Sequence, residues 1–317
     1  MTEPGASNRT VAFIGLGNMG LPMARRLLDA GFAVRGSDVS AAARAEFQAF
    51  GGRAFDSAQA AVGDSGEIVL MLPNSAIVRD VVLGANGIAR VLRAGTLLID
   101  MSSSVPVETR KLAQELEGRQ ILLIDAPVSG GVKRAMNGTL AIMAGGDEGH
   151  IARARPLLAA MGANIVPTGS VGSAHAVKAL NNYVSAAGLA AACEATVVAR
   201  AFGIDPNVFI DALNVSTGRN NATENKMKPF VLSRTFASGF SMSLMAKDIG
   251  IADQLADHCG LHAQGIHIAA ELWAAASAEL GTSADHTEIE RVLARPRGTN
   301  NKSTSADSER RAAPGNR

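Results

Sequence analysis

The first half of the chain alternates short apolar runs with longer segments in which apolar residues recur at helical spacing. The apolar runs, five to seven residues long, are "VAFIG" (11–15), "FAVRGSD" (32–38), "EIVLML" (67–72), "TLLIDM" (96–101) and "ILLIDAP" (121–127). Helical segments such as "GLPMARRLLDAG" (20–31) separate them, and "GTLAIMAGG" (138–146) and "NIVPTG" (164–169) add two further short runs. Strands of this length that alternate with helices predict a parallel sheet covered by helices on both faces.

The pattern changes near residue 170, after which only helical segments follow. Residues 174–202 predict one long Ala-rich helix ending at Gly203, and three more helices follow in "NVFIDALNV", "SLMAKDIGIADQLADHC" and "IHIAAELWAAASAEL". Residues 295–317 are polar and rich in Gly, Ser and Asn, so we expect a disordered tail. The predicted domains are therefore an α/β domain over residues 1–172 and an all-α domain over residues 173–294, linked by the long helix.

Composition and charge exclude several classes of protein. The formal net charge is +1, which gives no electrostatic reason to expect nucleic acid or an anionic membrane as a partner. The N-terminal "MTEPGASNRT" lacks the apolar stretch of a signal peptide, and the charge-free part of the long helix (179–193) is too short to span a bilayer. Cys193 and Cys259 cannot form a disulfide framework. We therefore expect a soluble cytoplasmic protein.

A glycine-rich motif stands between the first predicted strand and the first helix. It is "GLGNMG", with Gly15, Gly17 and Gly20 around Leu16, Asn18 and Met19. Gly15 permits a tight turn, Gly17 lets the backbone approach a pyrophosphate, and Gly20 allows helix and strand to pack closely. The helix N-terminus offers free N–H groups and a positive dipole end to phosphates. The first domain is therefore predicted to be a Rossmann-type doubly wound fold that binds a dinucleotide.

Asp38 ends the second predicted strand, 18 residues after Gly20. This is close to the spacing of about 20 residues expected of an acid that binds the adenosine ribose hydroxyls. Because a carboxylate there repels a 2′-phosphate, NAD is preferred, and NADP stays possible because Arg44 lies about one helical turn further on. A role for Asp38 as N-cap of the next helix is compatible with cofactor binding.

Two further groups of polar residues stand in unexpected places. "DAPVSGG" (125–131) follows a strand, so it should lie at the carboxyl edge of the sheet, where open α/β folds bind ligands. Ser129, Gly130 and Gly131 offer a hydroxyl and two N–H groups to a carboxylate, although an ordinary glycine turn is an equal alternative. The long apolar helix contains Lys178, Asn181 and Asn182, and burying an unpaired charge costs several kcal/mol.

The histidines do not predict a metal site. His258, His262 and His267 have acidic neighbours, but Gly260 interrupts the helix between the first two and no spacing matches a closed zinc site. We therefore predict no metal. Tyr183 and Trp273, the only residues of their kinds, are expected to serve packing.

The sequence resembles the β-hydroxyacid dehydrogenase family over residues 11 to about 290. Four motifs carry the resemblance in matching order: "FIGLGNMGLPMARRL", "DAPVSGGVKRAMNGTL", "GSAHAVKALNNY" and "LMAKDIGIA". It implies that Lys178 is the catalytic lysine, that Asn182 is the substrate-binding carboxamide, and that Ser129, Gly130 and Gly131 bind the substrate carboxylate. It also implies cofactor contacts at Leu72, Pro73, Ser103 and Lys247, whereas Lys247 and Asp248 taken alone could form a solvated surface pair.

This resemblance accounts for the polar residues of the long helix. Lys178 and Asn182 are four residues apart and share one face, whereas Asn181 points about 100° away and is expected to make a structural hydrogen bond. Hydride removal from an alcohol leaves a proton on oxygen, and a lysine can take that proton near neutral pH if burial lowers its pKa. Asn182 would hold the substrate so that the reacting carbon faces the nicotinamide.

The sequence therefore predicts an NAD-dependent dehydrogenase that oxidises a small 3-hydroxy acid, similar to 3-hydroxyisobutyrate, to a semialdehyde. Two alternatives stay open: a tartronate semialdehyde or glyoxylate-type reductase that uses NADPH, and a dinucleotide-binding protein without turnover. Lys178 argues against the imine-reducing relatives, which lack this lysine. The resemblance implies a homodimer or homotetramer formed through the helical domain, and the polar segment 216–226 is expected to shape substrate choice.

Overall fold

The computed structural model describes residues 9–295, and its first part is built on a nine-stranded sheet. The strands are β1 (Thr10–Ile14), β2 (Ala33–Ser37), β3 (Arg53–Phe55), β4 (Glu67–Leu70), β5 (Leu97–Asp100), β6 (Leu122–Asp125), β7 (Val128–Ser129), β8 (Leu140–Gly145) and β9 (Gly162–Gly169). Their order is β3-β2-β1-β4-β5-β6-β8-β7, with β9 paired to β8. The first six strands of this order are parallel. Apart from residue 295, the predicted tail lies outside the described residues.

The sheet differs from the predicted all-parallel sheet at one edge. β8 runs antiparallel to both β6 and β7, and β9 then lies parallel to β8. The connection between β7 and β8 is short and holds only a seven-residue helix, whereas parallel strands need a crossover of about a dozen residues or more. The sequence pattern also missed β3 and β7, because strands of three and two residues are too short to show an alternation.

Helices cover both faces of the sheet. They are α1 (Gly20–Asp29), α2 (Ala41–Ala49), α3 (Ala58–Val62), α4 (Ser75–Leu83), α5 (Pro106–Glu117), α6 (Gly131–Asn137) and α7 (Glu148–Met161), with a 3₁₀ turn at Ile88–Arg90. One core layer contains Phe13, Leu27 and Leu157, and the layer on the other face contains Ile68 and Leu112. Each large apolar side chain that is fully buried stabilises the fold by about 1.5–3 kcal/mol.

The second part is helical, as predicted. It consists of α8 (Ser173–Ala201), α9 (Pro206–Asn214), α10 (Asn221–Asn225), a π-helix (Met227–Leu232), α11 (Met242–His258), α12 (Gln264–Leu280), a 3₁₀ turn (His286–Glu288) and α13 (Ile289–Leu293). Between Gly169 and residue 295 the only β pairing is one isolated bridge, Ser241 with Asp285. Trp273, Leu189 and Met227 are fully buried in the core of this part, which confirms the packing role expected of Trp273.

The first turn of α8 is fixed to the sheet by an aspartate from β6. The N-cap residue of α8, Gly172, has φ +87° and offers no side chain to the free N–H groups of the helix. The Asp125 carboxylate accepts hydrogen bonds from these groups instead, from Gly172 N at 2.7 Å and from His175 N at 2.8 Å. Burial raises the pKa of Asp125, and His175 and these N–H donors oppose that rise. The boundary between residues 172 and 173 stays a prediction, but the start of α8 is attached to the α/β part.

Among the described residues, α8 is the helix long and apolar enough to cross a membrane by length and composition. Its 29 residues exceed the charge-free run 179–193 on which the sequence argument rested. In this fold 39 % of its most apolar window is buried within the protein, and Lys178 and Asn182 are among its buried residues. Length and composition are therefore weak grounds for a membrane span.

Candidate active site

The glycine motif lies where the strand order of the sheet reverses, because β1 is flanked by β2 on one side and β4 on the other. A Cβ on Gly15, whose φ is +99°, would stand 2.2 Å from Met71 O, and one on Gly20 would stand 1.9 Å from Gly15 O. Both positions therefore require glycine for packing. A Cβ on Gly17 would meet nothing within 4 Å, so its backbone is open to a ligand. Asn18 beside it is exposed and Met19 is half-buried.

Asp38 is held against this motif. Its carboxylate accepts hydrogen bonds from Leu16 N and from Ser40 N, both at 2.7 Å, while the Leu16 side chain is buried in the core. The N-cap of α2 is Ser40, which accepts from Ala43 N, so the alternative role of Asp38 as N-cap is wrong. Arg44 Nη1 donates to the backbone carbonyls of Asp38 at 2.7 Å and Val39 at 3.2 Å, so its guanidinium lies against the main chain that follows β2.

The predicted cofactor residues after β4 and β5 meet Lys247 of α11. Lys247 Nζ donates to Ser103 O at 3.0 Å and to Pro73 O at 3.2 Å, and Leu72 N donates to Ser102 Oγ at 2.9 Å. A cavity of about 410 Å³ borders Ser103 and Lys247. The structure thus brings Leu72, Pro73, Ser103 and Lys247 together, although Lys247 lies 174 residues from Pro73 along the chain.

Lys178 and Asn182 lie on the buried face of α8, opposite Asp248 of α11. Asn182 Nδ2 donates to Asp248 Oδ2 at 2.6 Å, and Asn181, which is exposed, donates to Asn182 Oδ1 at 3.1 Å. Asp248 is 3 % exposed, so a solvated surface pair with Lys247 is wrong. Its second oxygen, Oδ1, makes no hydrogen bond within residues 9–295 and lies 3.5 Å from Lys247 Nζ.

The Lys178 ammonium is buried without a carboxylate in contact. The residue is 8 % exposed, and within the described part of the chain no ion pair or hydrogen bond holds its side chain. Burial lowers the pKa of Lys178 from its ordinary value near 10.5; the charge of Asp248 opposes this shift and that of Lys247 adds to it. A lowered pKa is what a lysine needs in order to act as a proton acceptor.

The Ser129–Gly131 turn stands at the end of β7, beside β8. Ser129 is paired with Ala141 and half-buried, and Gly130 and Gly131 have φ values of +133° and +68°. A side chain at Gly130 would collide with Arg134, since a Cβ there would lie 2.4 Å from Arg134 Cδ. Among the described residues no hydrogen bond joins this turn to Lys178 or Asn182, so its role toward a carboxylate stays a prediction.

Sequence reasoning missed a buried polar cluster between the sheet and α8. Asp100 and Asp125 lie side by side at the ends of β5 and β6, and His175 Nε2 and Nδ1 lie 3.9 Å and 3.8 Å from their carboxylates. The signal was present, because β5 and β6 share the sequence "LLID" and so carry an aspartate to the same edge. The partner histidine could not be predicted, since it comes from a distant helix.

His267 of α12 contacts carboxylates of α11 and α12. His267 lies 3.4 Å from both Asp253 and Glu271, and α11 ends at His258, before Gly260 with φ +67°. Within residues 9–295 the structure has no group of three His, Cys, Asp or Glu side chains able to hold a metal.

The segment 216–226 forms a capped turn against α8 rather than an open loop. Asn220 and Thr223 make a capping box at the start of α10. Lys226 donates to Ser185 Oγ at 3.2 Å and contacts His286 Nε2 at 3.0 Å. Burial lowers the pKa of Lys226. The influence of the segment 216–226 on substrate choice stays a prediction.

Comparison with known proteins assigns both parts of the chain. A family model described as the NAD binding domain of 6-phosphogluconate dehydrogenase matches residues 10–169, and one described as NAD-binding of NADP-dependent 3-hydroxyisobutyrate dehydrogenase matches residues 172–293. The 2-(hydroxymethyl)glutarate dehydrogenase of Eubacterium barkeri is 39 % identical over 76 % of this chain and 80 % of its own. The mitochondrial 3-hydroxyisobutyrate dehydrogenase of Homo sapiens is 38 % identical over 79 % and 76 %.

A solved structure has the same architecture. The 3-hydroxyisobutyrate dehydrogenase of Mycobacterium tuberculosis, solved with L-serine, is 35 % identical, with a TM-score of 0.84 over 90 % of this chain and 99 % of that one. The chain belongs to the β-hydroxyacid dehydrogenase family. As a β-hydroxyacid dehydrogenase it is an oxidoreductase of hydroxy acids that uses a nicotinamide dinucleotide, and the predicted fold class is confirmed.

Proposed function

We propose that this β-hydroxyacid dehydrogenase oxidises a short 3-hydroxy acid, similar to 3-hydroxyisobutyrate, to a semialdehyde with NAD. One observation carries the proposal: the Lys178 amine is buried without a carboxylate in contact, on the same helix face as Asn182. The "KD" pair of α11 then supplies two more groups, since Asp248 contacts Asn182 and Lys247 contacts the turns after β4 and β5. A purely structural helix gains nothing from a buried lysine, because its desolvation destabilises the fold.

The residues present fit a dinucleotide. Gly17 is open to a pyrophosphate, and α1 begins within the same motif without a side-chain cap on its first N–H groups. Asp38 retains lone pairs for two ribose hydroxyls. Leu72, Pro73, Ser103 and Lys247 would border the nicotinamide end. When bound, the cofactor supplies the hydride acceptor.

In this proposal Lys178 takes the hydroxyl proton as the hydride leaves the same carbinol group. The C–H bond and the O–H bond break, a C=O bond forms, and the proton ends on Lys178 Nζ. Water would compete for that proton, and the burial of the Lys178 amine excludes this water. In the reverse direction the Lys178 ammonium donates to the developing alkoxide.

Asn182 and the Ser129–Gly131 turn would orient the substrate. Because Asp248 is an acceptor, Asn182 must point Nδ2 toward it. Its Oδ1 accepts from Asn181, so the second N–H of the amide is left to donate to the substrate. The Ser129 hydroxyl and the Gly130 and Gly131 N–H groups suit the substrate carboxylate. Both contacts together fix the reacting carbon toward the nicotinamide.

A screen of short hydroxy acids with NAD, followed at the nicotinamide absorbance, tests the proposal. We expect turnover with unbranched and 2-methyl 3-hydroxy acids and far less with 2-hydroxy acids, whose carboxylate would lie one carbon too close. Absence of turnover with every hydroxy acid, in a protein that still binds NAD, would support a binding protein without catalysis. Turnover only with tartronate semialdehyde or glyoxylate and NADPH would support the reductase alternative.

The cofactor preference is tested at Asp38. We expect Asp38→Asn to reduce the ratio of kcat/KM with NAD to that with NADP about tenfold, because the charge that repels a 2′-phosphate is removed while Arg44 stays bound to the main chain of residue 38. Asp29→Asn, on the exposed end of α1, is the matched control. An unchanged ratio in Asp38→Asn would show that another residue sets the preference.

We infer that the chain forms a homodimer or homotetramer through α8. The α8 stripe, defined here as Val177, Leu180, Val184, Val198 and Phe202, recurs at helical spacing and is exposed, with Val184 at 66 % and Phe202 at 84 %. Exposed apolar side chains on one face of a helix are typical of an interface between subunits. A second copy of the chain covers it most simply. Cytoplasmic residence is proposed on a separate observation, the free thiols of Cys193 and Cys259.

A sedimentation experiment tests whether the chain forms this homodimer or homotetramer. The chain of 32.6 kDa is expected to sediment as a dimer or tetramer, and the double variant Val184→Lys, Val198→Lys should shift it toward monomer, since two charges would be buried at the contact. Val91→Lys, exposed on the α/β part, should leave the assembly intact. A monomer at tens of micromolar for the native chain would contradict the inference.

A further inference from the structure

His175 joins the helix that carries Lys178 to the strand edge that borders the cofactor. It is 1 % exposed and stands three residues before Lys178 on α8. Its Nε2 lies 3.0 Å from Ser102 O, its Nδ1 lies 2.8 Å from Thr109 Oγ1, and its backbone N–H donates to Asp125. The ring therefore bridges α8, the turn after β5 and helix α5.

The hydrogen bonds of His175 hold the ring in one orientation whatever its charge. A carbonyl only accepts, so Nε2 carries the proton toward Ser102 O, and Nδ1 accepts from the Thr109 hydroxyl when the ring is neutral. If Nδ1 also gains a proton, it donates to Thr109 Oγ1, whose hydroxyl turns to Val105 O at 3.2 Å. The two neighbouring carboxylates are engaged elsewhere, Asp100 by Ser102 N and Ser104 Oγ, and Asp125 by the N–H groups of α8.

The residue that His175 holds is itself part of the cofactor edge. Ser102 accepts the N–H of Leu72, and the next carbonyl, Ser103 O, accepts from Lys247. A movement of the His175 ring would therefore shift Lys178 and this edge relative to each other. A displacement of about 1 Å between reacting groups can cost about 10²-fold in rate.

We propose that His175 is a positioning residue for hydride and proton transfer: through its Ser102 and Thr109 hydrogen bonds it sets the distance between the Lys178 amine and the nicotinamide edge. This inference rests on the proposed function. His175 touches neither substrate nor cofactor in this role. It acts on kcat through geometry and changes dinucleotide affinity little, because the glycine motif and Asp38, which would bind the phosphates and the ribose, lie on the other side of β4.

Three variants of the full-length chain test the inference. In His175→Ala we expect kcat to fall roughly 10- to 100-fold, KM for NAD to stay within twofold, and the primary deuterium isotope effect on kcat to rise as hydride transfer becomes limiting. In His175→Gln, whose amide reaches Ser102 O as a donor, kcat should recover to within about fivefold of native. Thr109→Val keeps the side-chain shape but leaves Nδ1 without its donor, and should show an intermediate loss.

The outcomes separate this inference from the proposed function. If the native chain turns over no hydroxy acid, the proposed function and this inference fall together. If native turnover is present and Lys178→Ala removes it, a native kcat and isotope effect in His175→Ala overturn the positioning role alone. Should His175→Ala fail to fold, the Gln and Val variants decide: equal loss of Tm with native kcat in both means that His175 serves stability only.

Discussion

Lys178→Met is expected to lower kcat for hydroxy acid oxidation by roughly 10²- to 10⁴-fold, the usual scale for a general acid–base group. Methionine keeps the length and apolar stem of lysine but offers no site for the proton. KM for NAD should stay within about twofold, because the glycine motif and Asp38 are untouched. The measurement is a steady-state titration of both substrates at pH 8.

The same substitution is expected to stabilise the fold at pH 7 by about 0.5–2 kcal/mol, the usual range for a stabilising change, because it removes an unpaired ionisable group from a buried position. The pKa of Lys178 is lower in the folded chain than in the unfolded one, because burial disfavours the ammonium. The unfolded chain therefore binds more protons, so native stability is reduced below the folded pKa and recovers as pH rises through it toward 10.5. The Tm advantage of Lys178→Met should accordingly shrink between pH 7 and pH 9.5.

Lys111→Met is the control for both measurements, since Lys111 is exposed and paired with Glu108 on α5. It should change neither kcat nor the pH dependence of Tm. Near-native turnover in Lys178→Met would remove Lys178 from the mechanism. A Tm below native at pH 7, with turnover lost, would instead mean that the amine is stabilised by a partner and is not a neutral base.

The elements of this fold could be predicted largely from the chain itself. Five of the apolar runs became parallel strands in the expected places, because a strand buried on both faces needs a continuous apolar run. The need for glycine at positions 15 and 20 could also be predicted, because it follows from a short local motif. In the structure neither position leaves room for a Cβ. Strands that pair only at the far edge, such as β7 against β8, depend on a register that no local pattern contains.

The candidate site residues could be proposed one by one from the sequence, but not as a network. Helical spacing places Lys178 and Asn182 on one face and the family resemblance gives their expected roles, whereas the contact of Asn182 with Asp248 joins residues 66 positions apart. The contact of His175 with Ser102 spans 73 positions. A polar residue in an apolar segment indicates that a partner exists, because its burial must be offset, but it does not say which segment supplies that partner.

Asp248→Ala is expected to lower kcat/KM by about 10²-fold, because it removes both the acceptor for Asn182 and the negative charge near Lys178. The variant Asp248→Asn separates these two effects. Alanine leaves the Asn182 amide without the acceptor that fixes it at 2.6 Å, so the substrate is held less well. Asp248→Asn can still accept from Asn182 through its carbonyl oxygen, and should retain most of kcat/KM at the optimum pH. What it loses is the negative charge beside Lys178.

The negative charge of Asp248 determines the direction in which the pH dependence of the oxidation rate shifts when it is removed. Asp248 raises the pKa of Lys178 against the larger lowering by burial, so its removal lowers the pKa of Lys178 further. The rise of the oxidation rate with pH should then begin at lower pH in Asp248→Asn than in the native enzyme. Asp253→Ala, one and a half turns further along α11 and paired with His267, should leave the profile in place. A shift to higher pH in Asp248→Asn would mean that Lys178 is not the group that titrates, and the assignment of the general base would have to move to another residue.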